Sequence, residues 1–245
     1  MADTNLNANS SVVPKMEESN YRDTPGNAEI ERLVAKLDSM KNGKPEQLLM
    51  VTSALLGEGK STVSTKIAIS SARNRKGPTL IVDFDIRRPR LHRIFDTPRG
   101  EGVVDLLCGR LSLKNCVKET GIPNLLILTS GVLTDSPIEV LNSNRIAQLV
   151  KEIRSTYMNV IVDVPPVIPV SDPLLIGKLV DNVVFVVKAG YTSRVIAKRA
   201  LDMLYDIGVT VDGLVLNNMH NVLPYYYDHR YYGYKYFENS EVVLD

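Results

Sequence analysis

The fold is decided by one stretch near the start of the chain, Ala54-Leu-Leu-Gly-Glu-Gly-Lys-Ser61. It follows a short apolar run, Leu48-Leu-Met-Val-Thr-Ser53, and it opens a segment of helical character from about Ser61 to Arg75. A strand, a glycine-rich turn and a helix form the context of the phosphate-binding loop G-x-x-x-x-G-K-[ST], with Ala54 in the first position. The alternative is a glycine-rich turn that happens to carry a lysine.

The residue types in this loop suit a bound polyphosphate. Glycines allow backbone N–H groups to close on phosphate oxygens, and the following helix N-terminus adds positive potential. Lys60 would reach the β- and γ-phosphates, and the Ser61 hydroxyl would bind Mg²⁺. We therefore expect a nucleoside triphosphate and Mg²⁺ to bind at six consecutive residues: Gly57, Glu58, Gly59, Lys60, Ser61 and Thr62.

Five further apolar runs follow, each short, mostly aliphatic and continuous rather than alternating. They are Thr79–Asp83, Leu125–Thr129, Asn159–Asp163, Asn182–Val187 and Gly213–Asn217. Such runs are typical of strands that are buried on both faces. Helical segments lie between most of them, for example at 143–157 and 193–207. The sequence therefore predicts an α/β P-loop NTPase fold, a doubly wound, mostly parallel sheet with helices on both faces.

The chain has 245 residues, enough for one α/β domain with terminal extensions. Residues 1–27 are polar, and we expect a disordered arm there. Residues 28–220 would form the P-loop domain, beginning with an amphipathic helix over 28–42 that Gly43 closes. Residues 221–245 would form a flexible, tyrosine-rich tail.

Overall composition limits the kinds of partner. The formal net charge is +1, so nothing global argues for nucleic acid. No apolar run approaches 18 residues, and the first ten residues lack the apolar stretch of a secretory signal. We therefore expect a cytoplasmic protein that another molecule would hold at any membrane.

Aspartates follow two of the apolar runs. Asp83 and Asp85 come at and after the end of one run, and Asp163 ends another. Ligands of an open parallel sheet bind beyond the carboxyl ends of its strands, where these carboxylates would face bound phosphates. Mg²⁺ prefers hard oxygen ligands, and a phosphoryl acceptor can need a base. One such aspartate would be weak support, since aspartate commonly caps turns, but three behind a phosphate loop favour a site.

Arginines follow Asp85 closely, at positions 87, 88 and 90. They would neutralise phosphate charge or contact a neighbouring chain, and the alternative is a solvated basic turn. Asp172 lies in a later turn, Ser171-Asp-Pro173, and would simply cap it.

The tail concentrates most of the aromatic residues of the chain. Of 11 tyrosines, seven lie in one short stretch: Tyr225, Tyr226, Tyr227, Tyr231, Tyr232, Tyr234 and Tyr236. Their spacing is neither helical nor strand-like, which argues against a core. A phosphoacceptor cluster, a stacking platform for nucleic acid, a binding tail and a β-edge all remain open. Only Arg230 and Lys235 interleave, which weakens the nucleic-acid alternative.

Taken together, these stretches resemble the bacterial tyrosine kinases that control capsule and exopolysaccharide synthesis, the CpsD/CapB-like autokinases related in fold to MinD/ParA ATPases. The resemblance covers about residues 28–237. It rests on Gly57-Glu-Gly-Lys-Ser-Thr62, Leu80-Ile-Val-Asp-Phe-Asp-Ile-Arg-Arg-Pro89, Val162-Asp-Val-Pro-Pro166, Gly131 with Pro137-Ile-Glu-Val-Leu141, and the tyrosine tail.

The resemblance implies roles for individual residues. Lys60 and Ser61 would serve the Walker A motif, Asp83 and Asp85 the Walker A′ motif, and Asp163 the Walker B motif. Asp83 would orient or deprotonate the tyrosine hydroxyl, while Ser61, Asp85 and Asp163 would organise Mg²⁺. Asp83 and Asp85 can exchange these roles. The cofactors would be ATP and Mg²⁺.

The resemblance also implies partners. Subunits of the family phosphorylate the C-terminal tyrosines of their neighbours within a ring, and a membrane-spanning polysaccharide co-polymerase activates them. Here the activator would be a separate chain that holds the kinase at the inner face of the plasma membrane. A cognate tyrosine phosphatase would reverse the modification.

Three departures from the family pattern stand out. Leu56 replaces a proline before Gly-Glu-Gly-Lys, and Val164 replaces the threonine of Asp-Thr-Pro-Pro. The ring contact E-x-x-R-x-x-R is matched by Glu29 and Arg32, but Ala35 takes the place of the second arginine. The first two leave nucleotide binding intact, whereas the third leaves ring assembly open.

The main alternative is a MinD/ParA-type regulatory ATPase without kinase activity. Such ATPases carry a second lysine early in the loop, where this chain has Leu55, and they have no use for a tyrosine tail. A small-molecule kinase or ligase on the same fold, and an inactive binding module, are further alternatives.

Overall fold

The computed structural model describes residues 25–39, 47–74, 77–134 and 136–218. Within these ranges, the strands are β1 Gln47–Ser53, β2 Thr79–Asp83, β3 Val117–Glu119, β4 Leu125–Leu128, β5 Asn159–Asp163, β6 Asn182–Lys188 and β7 Gly213–Asn217. These seven strands form one sheet in the order β3-β4-β2-β5-β1-β6-β7. All neighbours pair in parallel except β3 and β4.

Helices separate most of the strands. They are α1 Pro25–Ser39, α2 Lys60–Asn74, α3 Leu91–Ile94, α4 Val103–Leu107, α5 Leu113–Cys116, α6 Pro137–Val140, α7 Ser143–Thr156, α8 Asp172–Gly177 and α9 Arg194–Tyr205. Within the described ranges, no helix combines the length and apolar character that a membrane span requires. The predicted class, a doubly wound and mostly parallel sheet, is confirmed.

The central strands are apolar throughout because both of their faces are covered. Every residue of β1 is buried. Leu48 and Met50 belong to one hydrophobic core, and Leu49 and Val51 belong to the other, as the two-residue period of a strand requires. Full burial of each such side chain stabilises the fold by about 1.5–3 kcal/mol.

Different helices cover the two faces of the sheet. Helices α1 and α2 contribute side chains such as Val34 and Ile67 to one core. Helices α7 and α9 contribute Ile146, Leu149 and Leu204 to the other. The site-forming strands therefore lie between two helical layers, and the helices cover the faces of the sheet and not the carboxyl ends of its strands.

Two details differ from the sequence-based expectation. Strand β3 is an antiparallel edge strand in which Val117 and Lys118 are partly buried and Glu119 is exposed, so no apolar run indicates it. Helix α1 begins at Pro25, earlier than expected, because the fixed φ and missing N–H of proline suit a first helical turn.

Several predictions fall outside the described ranges. They concern most of the arm predicted over 1–27, the closing Gly43 and the whole tail over 221–245. The proposed domain limits therefore stay predictions.

The register of the central strands gathers the predicted site. Asp163 at the end of β5 is opposite Val51 of β1 on one side and Asp83 of β2 on the other. The glycine-rich loop follows β1 directly. Parallel pairing alone thus places two aspartates and the loop at one edge of the sheet.

The packing predicts that replacing two neighbouring side chains by alanine lowers the free energy of unfolding by unequal amounts. Phe185 of β6 is 0% exposed, and its register partner in β7, Leu214, is 62% exposed. Phe185→Ala should lower the free energy of unfolding by about 3–5 kcal/mol, because it leaves a cavity in the core. The matched control Leu214→Ala should change it by about 0.5 kcal/mol or less. Urea denaturation measures both, and equal losses would contradict this packing.

Candidate active site

The loop between β1 and α2 requires glycine at two positions. Gly57 has φ 79° and Gly59 has φ 90°, a region that side chains rarely adopt. A Cβ on Gly59 would also lie 2.1 Å from Nδ2 of Asn217. Helix α2 begins directly afterwards, at Lys60. Its first backbone N–H groups therefore face the loop, as in a phosphate-binding site.

Lys60 is buried in an ion pair. Its Nζ donates to Oδ2 of Asp85 at 2.9 Å, and 11% of the lysine side chain is exposed. Burial acts to lower the pKa of Lys60, but the negative charges of Asp163, Asp85 and Asp83 outweigh burial and raise it. Lys60 therefore keeps its positive charge despite its burial.

Asp83 is fully buried and only half satisfied. Its Oδ2 accepts backbone N–H groups from Arg90 at 3.1 Å and Leu91 at 3.0 Å. Its Oδ1 has no hydrogen-bond partner. Burial and, next in size, the negative charge of Asp163 together raise the pKa of Asp83 to about 8, while the N–H of Leu91 acts in the opposite direction. The carboxyl group therefore titrates close to neutral pH.

Asp163 has a similar environment on the neighbouring strand. Its Oδ1 accepts from the Ser64 hydroxyl at 3.1 Å, and the neighbouring Ser61 side chain acts to lower the pKa of Asp163. Its Oδ2 has no partner. Burial raises the pKa of Asp163, although the charge of Lys60 opposes the increase. Asp83 and Asp163 thus each leave one buried oxygen unpaired at adjacent strand ends.

Asp85 differs from the other two carboxylates because both of its oxygens are in use. Oδ2 accepts from Lys60 at 2.9 Å, and Oδ1 accepts the backbone N–H of Arg88 at 3.0 Å. Among the residues predicted to bind Mg²⁺, Asp163 therefore offers an open oxygen and Asp85 does not. The other open oxygen belongs to Asp83.

The donor set fits a Mg²⁺ ion shared with phosphates. Within the described ranges, no group of three or more His, Cys, Asp or Glu side chains could hold a metal. Mg²⁺ sites of nucleotide enzymes do not need such a group, because one or two carboxylates act together with substrate phosphates and water. The unpaired oxygens of Asp83 and Asp163 and the hydroxyl of Ser61 are hard ligands of this kind.

The three arginines that follow Asp85 separate into two groups. Arg87 is exposed like the other two, but its Nε and one terminal nitrogen donate to the buried carboxylate of Asp172 at 2.9 and 3.2 Å. Asp172 thus anchors Arg87, whereas its predicted role as a cap is not seen, since no side-chain cap is formed in α8. Arg88 and Arg90 are exposed.

The sequence missed three contacts that shape the loop. The buried carboxylate of Glu58 accepts from the Leu55 backbone and from the Thr192 hydroxyl. Asn217 at the end of β7 donates to the Glu58 carbonyl at 2.9 Å. Asn217 could have been predicted in the same way as the aspartates, because it is a polar residue at the end of a strand. Thr192 had no such signal.

The remaining predicted residues are distributed as follows. Thr62 is exposed on α2. Glu29 and Arg32 lie on the exposed side of α1 and pair with each other at 2.6 Å, one turn before Ala35. The seven tail tyrosines lie outside the described ranges.

The fold and the site define a P-loop nucleotide-binding protein, and comparison with known proteins narrows the class. The ParA family model, described as "NUBPL iron-transfer P-loop NTPase", matches residues 44–242. The tyrosine-protein kinase YwqD of Bacillus subtilis is 32% identical over 76% of this chain and 78% of its own. The tyrosine-protein kinase CpsD of Streptococcus agalactiae is 30% identical over 78% of this chain and 84% of its own.

A solved structure agrees with the sequence relatives. The crystal structure of the chimerical protein CapA2B2 matches with a TM-score of 0.75 and 30% identity, over 82% of this chain and 88% of that one. The chain therefore belongs to the bacterial tyrosine-protein kinases, a branch of the ParA-type P-loop NTPases. The predicted family and enzyme class, a protein-tyrosine kinase, are confirmed.

The raised pKa of Asp83 predicts a pH-dependent stability in metal-free protein. The folded state binds a proton with a pKa of about 8, against an ordinary carboxyl value of 3.8. The stabilisation is therefore complete below about pH 4 and is lost as the pH rises through about 8. The free energy of unfolding of the wild type, minus that of Asp83→Asn, should fall steadily between pH 5 and 8 under a chelator.

A matched variant tests the origin of this effect. Asp206→Asn removes an exposed carboxylate after α9 that is solvated in both states, and it should leave the pH profile of stability unchanged. Chemical denaturation at several pH values measures all three proteins. A constant difference between the wild type and Asp83→Asn would contradict the assigned titration.

Proposed function

We propose that this chain is an ATP- and Mg²⁺-dependent tyrosine autokinase that phosphorylates the C-terminal tyrosine cluster of another copy and regulates capsule or exopolysaccharide synthesis and export. The observation that carries the proposal is the pair of unpaired, buried carboxylate oxygens on Asp83 and Asp163 beside the glycine-rich loop and Lys60. Such oxygens suit a metal ion and a hydroxyl group, which phosphoryl transfer to tyrosine requires.

The loop would bind and orient ATP. The backbone N–H groups around Gly57, Gly59 and the start of α2 would donate to phosphate oxygens. Lys60 would place a positive charge beside the transferring group, and its ion pair with Asp85 already fixes its Nζ at the site. When bound by Ser61 and Asp163, Mg²⁺ supplies charge neutralisation at the phosphates.

Asp83 is the best candidate for the base. Its open Oδ1 can accept a proton, while Oδ2 is fixed by two backbone N–H groups, so the group is oriented without being saturated. Its pKa of about 8 allows proton exchange near the working pH, as general-base catalysis requires. Asp85, occupied by Lys60 and Arg88, is better suited to positioning these two residues.

The acceptors would be the seven tyrosines: Tyr225, Tyr226, Tyr227, Tyr231, Tyr232, Tyr234 and Tyr236. The resemblance to the CpsD/CapB-like kinases supports transfer between neighbouring subunits. In the sequence the tail comes after β7, which is an edge strand, and β6, β1 and β5 separate β7 from the strand β2 that carries Asp83. A tail that reached Asp83 of its own chain would have to pass the phosphate loop after β1, whereas a tail from another copy would not.

The same resemblance supports the proposed partners. They are a separate membrane-spanning polysaccharide co-polymerase that acts as activator, further copies of the chain, and a cognate tyrosine phosphatase. The activator would hold the kinase at the inner face of the plasma membrane. Glu29 and Arg32 lie on the exposed side of α1, the side that a ring contact would use, and Ala35 adds no charge there.

The competing function is that of a MinD/ParA-type regulatory ATPase. At the position of the second lysine of those proteins stands Leu55, whose backbone N–H is bound to the Glu58 carboxylate. Leucine supplies no charge to a phosphate, and the tyrosine cluster would have no role in a positioning ATPase. Both observations favour the kinase.

A mixing experiment tests the proposal. The donor is the full chain with all seven tail tyrosines changed to phenylalanine, and the acceptor is the full chain with Lys60→Met. With γ-labelled ATP and Mg²⁺, the mixture should label the acceptor on tyrosine, because the donor retains the site and the acceptor retains the tail. Each protein alone should stay unlabelled.

A second donor provides the control and separates the alternatives. Adding Lys60→Met to the donor should reduce labelling of the mixture by at least about 100-fold, since the charge on the transferring phosphate is lost. ATP hydrolysis without any phosphotyrosine would favour the regulatory ATPase. If the wild type were labelled but the mixture were not, transfer would occur within one chain and not between copies.

A further inference from the structure

Two exposed arginines lie beside the site and have no role in the chemistry described above. Arg88 and Arg90 belong to the loop between β2 and α3 and are exposed, and neither guanidinium bonds to any described residue. Arg87, in the same segment, is tied to Asp172 and is therefore unavailable. Unpaired arginines next to a reaction centre suggest recognition of an anionic group.

The backbone of these two arginines is fixed directly to the site. The N–H of Arg88 donates to Oδ1 of Asp85 at 3.0 Å, and the N–H of Arg90 donates to Oδ2 of Asp83 at 3.1 Å. Pro89 between them restricts the backbone further. The backbone of each arginine is thus hydrogen-bonded to one of the two carboxylates, and the arginine side chains are exposed at the surface around them.

The rest of the loop makes this arrangement rigid. Phe84 and Ile86 are each 1% exposed and pack in the core, so alternate residues of the segment are anchored on the inside. The Arg87–Asp172 pair adds an anchor from α8. A charge placed on such a loop selects among partners better than one on a mobile segment, since little conformational freedom is lost on binding.

The tail carries acidic residues close in sequence to some of its tyrosines. Asp228 follows Tyr225-Tyr-Tyr227 directly, and Glu238 follows Tyr236 by two residues. A tyrosine whose hydroxyl reaches Asp83 brings its flanking residues to the surface around the site. There, acidic side chains meet the arginines, and opposite charges at such a rim increase association.

We propose that Arg88 and Arg90 form a docking surface for the acceptor segment, and that this surface selects tyrosines followed within two residues by a carboxylate. The inference rests on the proposed function, since it names what determines the choice of tyrosine at the same site. It predicts that Tyr226, Tyr227 and Tyr236 are modified faster than Tyr231 and Tyr232, which have no such neighbour.

Charge reversal in the donor gives the first test. The donor is the full chain with phenylalanine at the seven tail tyrosines, and the acceptor is the full chain with Lys60→Met. Adding Arg88→Glu and Arg90→Glu to the donor should raise the KM for the acceptor about fivefold or more and leave kcat unchanged, because the contact is equal in the ground and transition states. The KM for ATP should stay constant.

A matched donor and a reversed acceptor complete the design. Arg199→Glu reverses an exposed arginine on α9 and should leave the KM for the acceptor as it was. An acceptor with Asp228→Lys and Glu238→Lys should be poor for the donor with intact arginines and recover with the charge-reversed donor. Glu241→Lys, beyond the two-residue range, should change neither.

The outcomes separate the two proposals. Recovery of labelling by the charge swap supports the docking surface. If both donors label both acceptors equally, or if reversal acts on kcat regardless of the acceptor's charge, the docking surface is wrong while the kinase assignment stands. If the donor with intact arginines labels no acceptor, the proposed function fails, and this inference fails with it.

Discussion

A buried lysine surrounded by carboxylates is the constraint on which the rest of this structure depends. Lys60 pairs with Asp85 at 2.9 Å, and Asp83 and Asp163 lie close enough to influence its pKa. Removing charges from water costs free energy that a single ion pair often fails to offset, so such a cluster is rarely kept for stability alone. The fold tolerates it because rigid parallel strands and backbone N–H groups hold each group in place. Further positive charge, from a metal ion, would relieve the excess of carboxylates.

Sequence reasoning was strongest where one physical rule dominated. Strands buried on both faces must be continuously apolar, so the six runs from Leu48–Ser53 to Gly213–Asn217 match strands of the sheet. The aspartates were identifiable because parallel strands end at one edge, and Asp83 and Asp163 are register partners. The edge strand Val117–Glu119 was missed, since a half-exposed antiparallel strand of three residues has no apolar signature.

The roles of individual polar groups depended on long-range geometry that a linear pattern does not contain. Asp83 and Asp85 are equivalent in the sequence, and only their hydrogen bonds show which one keeps a free oxygen. Likewise, Arg87 differs from Arg88 because Asp172, 85 residues further along, is within hydrogen-bond distance of it. The local sequence pattern identified the site residues, and only the tertiary contacts distinguish the roles of the individual residues.

Proton release on nucleotide binding tests the central claim most directly, because it reports on the buried charges themselves. Asp83 has a pKa of about 8 without metal, and the positive charge of Mg²⁺ beside it favours the ionised form. Calorimetry of Mg²⁺·ATP binding at pH 7, in buffers of different ionisation enthalpy, should show release of up to about one proton. Asp83→Asn should still bind nucleotide but release less. Binding without proton release, or release that is equal in Asp83→Asn, would contradict the account.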